Sequence, residues 1–518
     1  MQLSERTLLI AAVFTAGLCS IVYELLISTT SAYFLGDSVT QFSLTIGIYM
    51  AAMGVGSLLT RYVGTQELLR FVQTELALGL LGGLSVPLLY VLFQWQTGAQ
   101  YQVSTLVLTF GIGLLTGLEI PLLARVMKRY YPLRDNLANV LGFDYIGALA
   151  ATLLFPFLLL PFVGLYGSSL LFGSANVLLG AVVCWSFREQ LEKREKRVVF
   201  GWTAAGLLLF GYCGWQSEPF LQAWEAASYP HEVVYEARSP YQKIVLTEQR
   251  DDLRLYLNRV IQFSSRDEYR YHEALALIPA AQPVAVRRAL VLGGGEGLLA
   301  RELLKLPELD ALTVVDLDTA VFDLGRRHPR VQSLNEHAFA DPRLRAVGMD
   351  AAVFLRNDTN HYDLILADLP DPSNEAVARL YSTWFFGMAR ARLAPGGVLA
   401  TQATSPYHTR RAYWSIYESL AAAGFTQLLP YRITVPSFGP WGFIMASGGD
   451  QRLRSDYRTD VSTRYLDPAI VPGFFHFPAD EQHPQDVQPN RLDRPVLLDY
   501  FLNEWRSWQR EQTMSYEE

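Results

Sequence analysis

Glycines and an aspartate follow two apolar runs in the middle of the chain, at a spacing that could hold a nucleoside. Gly293, Gly294, Gly295 and Gly297 directly follow the first run, and Asp316 ends the second. Glycines let a backbone approach a nucleoside closely, and a carboxylate about 20 residues later can accept hydrogen bonds from ribose hydroxyls. NAD-dependent enzymes and enzymes that use S-adenosyl sulfonium compounds share this pattern. It predicts a nucleoside site without choosing between them.

Three further carboxylates follow the next apolar runs. Asp350 could accept a hydrogen bond from an adenine amino group, and Asp368 and Asp371 follow a single run. Hydride transfer does not require such a pair, whereas binding and deprotonating an ammonium group does. The segment Asp-Leu-Pro-Asp-Pro is also typical of a capped turn, so both interpretations of the pair stay open.

The elements that must position these residues alternate between strands and helices. From residue 288 onward, apolar runs are separated by helical patterns, which lie at about 298–306, 319–328, 350–356, 376–393 and 409–423. Such alternation predicts an α/β, Rossmann-like fold. We expect a doubly wound parallel sheet with its ligand crevice at the carboxyl ends of the strands.

A small β domain is predicted before this sheet. Three runs alternate apolar and polar residues and predict antiparallel strands with one buried face; they read "HEVVYEARS", "QKIVLTEQR" and "LRLYLNRVIQFS".

Charge is distributed unevenly along the chain. Of all residues 50% are apolar and 18% are charged, against about 25% charged in a typical soluble protein. The first 215 residues hold 12 Lys and Arg and 11 Asp and Glu, whereas the remaining residues hold 31 Lys and Arg and 39 Asp and Glu. The acidic second part argues against a nucleic-acid partner and suits a cationic small molecule. Cys19, Cys184 and Cys213 have no metal or redox spacing, so we expect no disulfide framework, metal site or thiol catalysis.

The first part predicts a multi-span α-helical membrane domain in contact with the lipid bilayer. Apolar runs, each near the roughly 20 residues that cross a bilayer, lie at 7–35, 42–60, 76–93, 103–124, 143–163, 165–187 and 198–214. Six spans plus an interfacial segment is the alternative. The predicted domains are the transmembrane domain at 1–215, a linker with the small β domain at 216–285, the Rossmann-like domain at 286–450 and a tail of unassigned role at 451–518.

Four acidic residues fall within or beside these spans: Glu24, Glu75, Glu119 and Asp144. Carboxylates are costly in hydrocarbon and normally face a bundle interior or a wet cavity. One interpretation is an amine-binding cavity or path. The other places Glu75 and Asp144 at the membrane interface and makes Glu24 and Glu119 hydrogen-bonded structural carboxyls.

Two arguments conflict over which side of the membrane the acidic part faces. Lys and Arg cluster after the second, fourth and sixth spans, so these loops and the N-terminus are predicted to be cytoplasmic in a multi-pass protein of the cell (inner) membrane. A seventh span at 198–214 then places the acidic part outside. A substrate nucleoside that is made in the cytoplasm would instead place the acidic part on the inner face. Residues 198–214 would then have to be interfacial or re-entrant. The uncharged run at 198–214 has no polar face, which favours a span.

Motifs throughout the chain together resemble the spermidine synthases, the polyamine aminopropyltransferases. The second part carries "SPYQKIVL", "LNRVIQFSSRDEYRYHEAL", "VLGGGEG", "VVDLD", "GMDA", "YDLILADLPDP", "LAPGGVLATQATSP" and "VPSFGPWGFIMAS". The first part is similar to the membrane-embedded branch of the family through "IVYELLIS", "GLEIPLLAR" and "NVLGFDYIGALAATLLFPFLLLPFVGL".

The resemblance implies transfer of the aminopropyl group of decarboxylated S-adenosylmethionine to an amine, usually putrescine, with release of methylthioadenosine. This donor is a co-substrate, and the resemblance implies no cofactor. It also implies a homodimer and a Rossmann-like sheet of the S-adenosylmethionine methyltransferase type. Asp368 takes the position of the catalytic base. The donor positions are Gln242, Gly293, Gly295, Glu296, Asp316, Asp350 and Asp371, and the acceptor positions are Gln262, Tyr271, His272 and Phe438.

Several positions depart from the family pattern. Glu296 replaces an Asp, Asn258 and Arg259 replace an Asp-Gly turn, and Phe438 takes the position of an acceptor-binding Tyr. An altered acceptor site favours an amine other than putrescine. Two competing functions remain: an S-adenosylmethionine-dependent methyltransferase, and a membrane sensor or transporter that binds a nucleoside or polyamine without turnover. The pair Asp368 and Asp371, together with "RDEYRYHEAL", favours the transferase over the methyltransferase. Retention of the catalytic Asp argues against a sensor or transporter, because binding alone does not require it.

Overall fold

A computed structural model describes residues 5–35, 38–64, 66–96, 98–226, 229–449 and 452–515. The chain divides into two compact units, Met1–Trp224 and Glu225–Glu518, which we describe separately.

The first unit is all helical. Its helices are α1 Glu5–Leu35, α2 Ser38–Leu59, α3 Glu67–Gly83, α4 Ser85–Trp95, α5 Gly98–Met127, α6 Leu133–Leu154, α7 Gly164–Ser186, α8 Lys193–Trp215 and α9 Ser217–Ala226. The helix α1 packs against α2, α5, α6 and α7. Close packing needs small residues: a Cβ atom on Gly117 of α5 would lie 2.1 Å from the carbonyl oxygen of Met53 on α2.

Within the described part of the chain, five helical segments are long and apolar enough to cross a membrane, or six if the pair α3 and α4, bent by 43°, counts as one span. One of the five covers 54 residues, from Leu133 to Ser186. At about 1.5 Å per residue it is more than twice as long as the roughly 30 Å of hydrocarbon. It contains α6, a π-helical stretch at Phe155–Val163 and α7, and Gly164 at φ 73° marks the break. The expected helix at 76–93 instead begins at Glu67 and bends at Leu84.

The second unit begins with a four-stranded antiparallel sheet in the order β1-β2-β3-β4. Its strands are β1 Glu232–Arg238, β2 Lys243–Gln249, β3 Asp252–Leu257 and β4 Val260–Ser264. The run predicted as one strand, residues 253–264, is a hairpin. Asn258 and Arg259 both have positive φ, 48° and 72°, the backbone that a two-residue hairpin turn of type I′ requires.

A larger sheet of seven strands follows, in the order β10-β11-β9-β8-β5-β6-β7. The strands are β5 Arg288–Gly293, β6 Ala311–Asp316, β7 Leu344–Gly348, β8 Tyr362–Asp368, β9 Leu393–Gln402, β10 Gln427–Val435 and β11 Gly439–Ser447. The helices are α10 Glu268–Ala280, α11 Leu298–Leu304, α12 Thr319–Arg327, α13 Pro329–Leu334, α14 Ala351–Asn357, α15 Glu375–Ala378, α16 Thr383–Ala391, α17 Arg410–Ala422 and α18 Val496–Ser515.

The Rossmann-like alternation is confirmed, but the expectation of a wholly parallel sheet is wrong. Strands β5 to β9 pair in parallel, whereas β11 is antiparallel to both β9 and β10. Only three residues join β10 to β11. A parallel connection needs a crossover of about a dozen residues or more, so this short turn can only form a hairpin. The single helix expected at 376–393 is divided into α15 and α16 by a 3₁₀ turn.

The C-terminal tail of the second unit packs on the rest of that unit through a buried carboxylate. Glu273 of α10 is completely buried, and its two oxygens accept hydrogen bonds from the backbone N–H groups of Arg464, Tyr465 and Leu466 at 2.7, 2.9 and 3.1 Å. The predicted tail is therefore part of the fold, fixed by hydrogen bonds to a charged group.

Replacing Glu273 with Ala should release this part of the tail. Three backbone donors would lose a charged acceptor, at a cost of about 2 kcal/mol or more. We expect faster trypsin cleavage after Arg458 and Arg464 in Glu273→Ala. The control Glu308→Ala changes an exposed carboxylate and should leave cleavage unchanged; equal rates in the two variants would contradict the anchoring role.

Candidate active site

The carboxyl ends of β5 and β8 meet at Gly293 and Asp368, which are paired in the sheet. A Cβ atom on Gly293 would lie 1.9 Å from the carbonyl oxygen of Asp368, and the φ of Gly293 is 95°. Only glycine fits this close approach and this backbone. The glycine turn and the acidic end of β8 therefore form one edge of the crevice, as the sequence predicted.

Asp316 lies beside this edge at the end of β6. Its carboxylate accepts hydrogen bonds from the backbone N–H groups of Gly295 at 3.0 Å and Asp318 at 2.9 Å. Burial raises the pKa of Asp316 to about 6, helped by the negative charges of Asp318 and Asp368, while the two backbone donors oppose the rise. The glycine turn thus orients the carboxylate that the sequence placed at the ribose position.

Asp350 has partners that the sequence did not predict. One carboxylate oxygen caps α14 by accepting from the N–H groups of Ala352 and Val353 at 2.9 and 3.0 Å. The other accepts from Arg379 at 2.5 Å. An adenine amino group would share this second oxygen with Arg379.

Asp368 is hydrogen-bonded to α10. The hydroxyl of Tyr271 donates to its Oδ1 atom at 2.6 Å. Burial raises the pKa of Asp368, while the charge of His272 and the Tyr271 hydrogen bond oppose the rise. The carboxylate is enclosed by protein yet keeps some exposure to the crevice, which suits a group that exchanges a proton with a ligand.

A buried ionic network fixes His272. Its Nδ1 atom lies 2.8 Å from both the carbonyl oxygen and a carboxylate oxygen of Glu268, one turn earlier on α10. Arg301 of α11 donates to both carboxylate oxygens of Glu268 at 2.9 Å. Burial opposes ionisation of Glu268, but His272 and Arg301 outweigh it and lower its pKa to about 2. Glu268 also raises the pKa of His272 against the opposing effect of burial.

The free edge of the His272 ring faces two carboxylates. Its Nε2 atom lies 3.8 Å from Glu296 Oε1, and ligand atoms of His272, Glu296 and Asp368 all lie within 4.8 Å of one another. This spacing could hold a metal ion, which the sequence did not predict, and it equally suits an organic cation. Burial and the charge of Asp368 raise the pKa of Glu296 to about 7, against the charge of His272.

The turn after β8 is held by hydrogen bonds to its backbone carbonyl groups. The Tyr381 hydroxyl donates to the carbonyl oxygens of Leu369 and Pro370 at 3.0 Å, and Gln402 donates to that of Leu369 at 2.6 Å. The Oδ1 atom of Asp371 is buried without a hydrogen-bond partner. Burial raises the pKa of Asp371 to about 7.

The predicted acceptor positions are only partly brought together. Tyr271 and His272 join the carboxylate cluster, and the Phe438 ring lies 6.3 Å from that of Tyr271. Gln262 instead donates to the carbonyl oxygens of Val260 and Ile261 in its own strand, at 3.2 and 3.4 Å.

Gln242 reaches the donor side indirectly. Its amide donates to Asp318 at 2.9 Å, and Ser239 donates to the same oxygen at 2.6 Å. Sequence reasoning missed Asp318. It also missed the partners of His272, although the spacing of Glu268 and His272 by four residues on a helix is a signal for that contact.

Comparison with known proteins matches residues 268–456 to the family described as Spermine/spermidine synthase domain. Polyamine aminopropyltransferase 2 of Ralstonia nicotianae is 42% identical over 505 residues, covering 96% of this chain and 98% of that protein. The chain belongs to the polyamine aminopropyltransferase family. Polyamine aminopropyltransferase of Leptospira interrogans is 36% identical, covering 96% of this chain and 99% of that protein. The resemblance drawn from the motifs is thereby confirmed, and the chain is an enzyme of this transferase class.

Among solved structures, spermidine synthase from Thermotoga maritima is 24% identical, with a TM-score of 0.44, and the match covers 48% of this chain and 85% of that one.

Substituting Gly295 with Ala should damage the aminopropyltransferase site directly. The new Cβ atom would lie 2.7 Å from the Oδ2 atom of Asp316, so the carboxylate must move from its backbone donors. We expect affinity for methylthioadenosine, measured by calorimetry, to fall about tenfold or more, the scale of one lost hydrogen bond to a charged group.

The matched control is Gly387→Ala on α16, where a Cβ atom would meet nothing within 4 Å. This change should leave methylthioadenosine binding intact and stabilise the helix by about 0.5–1 kcal/mol. Equal nucleoside affinity in the two variants would contradict the role of Gly295.

Proposed function

We propose that this polyamine aminopropyltransferase moves the aminopropyl group of decarboxylated S-adenosylmethionine to an amine acceptor, with Asp368 as the base. The supporting observation is the group of carboxylates Glu296, Asp316, Asp368 and Asp371 around one crevice, with the Tyr271 hydroxyl 2.6 Å from Asp368. Two cationic reactants must be held close together, and surrounding anions reduce their mutual repulsion.

In the proposed reaction the acceptor nitrogen attacks the carbon beside the sulfonium. A C–N bond forms, the C–S bond breaks and its electron pair stays on sulfur, which gives methylthioadenosine. The proton leaves the nitrogen for Asp368. An alkylamine has a pKa near that of lysine, about 10.4, so a carboxylate must relieve it of a proton as it attacks.

We assign the donor's ammonium group to Asp371 and Glu296, and its ribose hydroxyls to Asp316. The adenine amino group is assigned to Asp350, in competition with Arg379. Gln242 supports the ribose side through Asp318, and Gly293 and Gly295 shape the turn that the nucleoside approaches.

Asp368→Asn should lower turnover about 10²-fold or more, the usual cost of removing a general base, with methylthioadenosine affinity nearly unchanged. Asn keeps an oxygen that can accept from Tyr271 but cannot take the proton. Steady-state release of methylthioadenosine measures the loss. Asp323→Asn, on an exposed helix position, is the control, and an Asp368→Asn enzyme of full activity would refute the assignment.

We further propose that the acceptor is an amine other than putrescine. Phe438 cannot form the hydrogen bond of a Tyr hydroxyl, and discrimination built on such groups is large. Its ring packs 5.3 Å from that of Trp441, and Tyr271, His272 and Gln262 complete the acceptor positions implied by the family pattern.

Putrescine should therefore be a poor substrate in an amine panel, and Phe438→Tyr should raise its kcat/KM relative to the other amines. Phe474→Tyr adds the same hydroxyl in the tail, where the Phe474 ring stacks on Tyr465, and should change nothing. Putrescine activity that equals that of every other amine would count against an altered acceptor site.

We also propose that the first unit is embedded in the cell membrane with the N-terminus in the cytoplasm, and that the full-length protein is a homodimer. Counting the bent pair α3 and α4 as one span, and α6 and α7 as two, gives seven crossings, which would place the second unit on the outer face. The charged loops at 188–197 and the uncharged run at 198–214 support this topology.

A membrane-impermeant amine-reactive label applied to intact cells should then modify Lys243 and Lys305 of the second unit. Their reactivity only after the inner membrane is opened would show that the unit is cytoplasmic and that α8 does not cross.

A further inference from the structure

Two carboxyl groups are buried together in the helical unit. Glu75 of α3 and Glu119 of α5 are 0% and 1% exposed. The two carboxyl groups are hydrogen-bonding neighbours of each other, and no other group donates a hydrogen bond to either oxygen of Glu75 or to Oε1 of Glu119 among the described residues. The carboxyl groups of Glu75 and Asp144 both act electrostatically on Glu119. The side chain of Glu75 is thus enclosed by the helical unit.

Two neutral polar side chains beside the pair are also unpaired. Tyr23 of α1 is completely buried, its hydroxyl has no partner, and it interacts electrostatically with both carboxyls. Asn176 of α7 is completely buried, and both polar atoms of its amide are unpaired. Buried polar groups nearly always have a partner, so the unpaired Tyr23 and Asn176 beside a carboxyl pair whose only partners are each other need an explanation.

The packing of α3 against α7 places Asn176 next to Glu75. A Cβ atom on Gly180 of α7 would lie 3.3 Å from the Cβ atom of Glu75, and a Cβ atom on Gly79 of α3 would lie 3.1 Å from that of Asn176. Gly79 is one helical turn after Glu75 on α3. Asn176, which faces Gly79 from α7, therefore lies about one helical turn from the position of α7 that faces Glu75.

The chemistry of these four side chains fits an alkylammonium group. Carboxylates, the Tyr hydroxyl and the Asn carbonyl all accept hydrogen bonds, and a primary ammonium supplies three donors. The face of Tyr23 adds a surface that attracts organic cations. A hard divalent ion would need about six to eight oxygen ligands, more than this set supplies.

We propose that Glu75 and Glu119, with Tyr23 and Asn176, form a second amine-binding site in the helical unit, separate from the catalytic crevice. The proposal rests on the proposed function for the class of ligand, since the enzyme's acceptor and product are alkylamines. It assigns a task to the helices that the transfer reaction itself does not require.

The test is the stoichiometry of spermidine binding to the purified full-length protein, measured by equilibrium dialysis with labelled spermidine. The wild type should bind two equivalents. Glu75→Gln with Glu119→Gln should bind one, because neutral amides remove the anions. Asp368→Asn with Asp371→Asn should also bind one, because the catalytic site is changed instead.

Glu67→Gln is the matched control, since it makes the same change at the start of α3 on a partly exposed side chain. It should keep both equivalents. Two equivalents in the Glu75 and Glu119 variant, or a loss in Glu67→Gln as well, would overturn the proposal. If only the Asp368 and Asp371 variant keeps two equivalents, the proposed function fails while the second site stands.

A milder variant keeps the proposal testable if the double substitution prevents folding. Tyr23→Phe removes one hydroxyl and keeps the ring. It should lower the affinity of the helical-unit site for spermidine about fivefold, the scale of one hydrogen bond. Unchanged affinity of both sites in Tyr23→Phe would overturn the proposal.

Discussion

The catalytic unit depends on holding like charges together in a partly enclosed crevice. Glu296, Asp316, Asp368 and Asp371 lie at the carboxyl ends of neighbouring strands, and burial raises the pKa of each. Left alone, such a cluster would spread apart or take up protons. The fold opposes the spreading by attaching three of the carboxylates, or the turn that carries one, to a rigid neighbour: the Gly295 backbone for Asp316, Tyr271 for Asp368, and Tyr381 with Gln402 for the turn before Asp371.

The helix α10 connects this crevice to the rest of the unit. Its Tyr271 and His272 face the carboxylates, while Glu268 and Glu273 of the same helix are buried and fully engaged elsewhere. Glu268 balances the charge of Arg301, and Glu273 binds the tail. A helix fixed at two buried anions can present its catalytic face with little freedom, and that rigidity is what preorganised electrostatic catalysis requires.

Much of this could be predicted because it is local in sequence. Gly293 and Asp316 follow apolar runs, and the rule that strand ends meet at one edge brings them together. Some contacts were missed because they join distant residues: Arg301 lies 33 positions after its partner Glu268. Others are local but leave no signal in the sequence pattern, such as the bonds from the Gln262 amide to Val260 and Ile261 of its own strand. The strands β10 and β11 are joined by only three residues. The length of this connection alone indicates that they pair as an antiparallel hairpin and do not extend the parallel sheet.

The raised pKa values also bear on how ligand binding and stability are linked. Glu296 and Asp371 have pKa values of about 7 in the folded enzyme, against ordinary values near 4 in an unfolded chain. The folded state therefore binds more protons than the unfolded state between about pH 4 and 7, and stability falls as pH rises through that window. At neutral pH the empty crevice thus carries a charge that opposes folding. A bound ammonium group favours the ionised carboxylates and removes that repulsion, so part of the free energy stored in the fold becomes affinity for a cation. A neutral nucleoside cannot relieve it, so under the proposed function the cluster would favour a charged aminopropyl donor over its uncharged product.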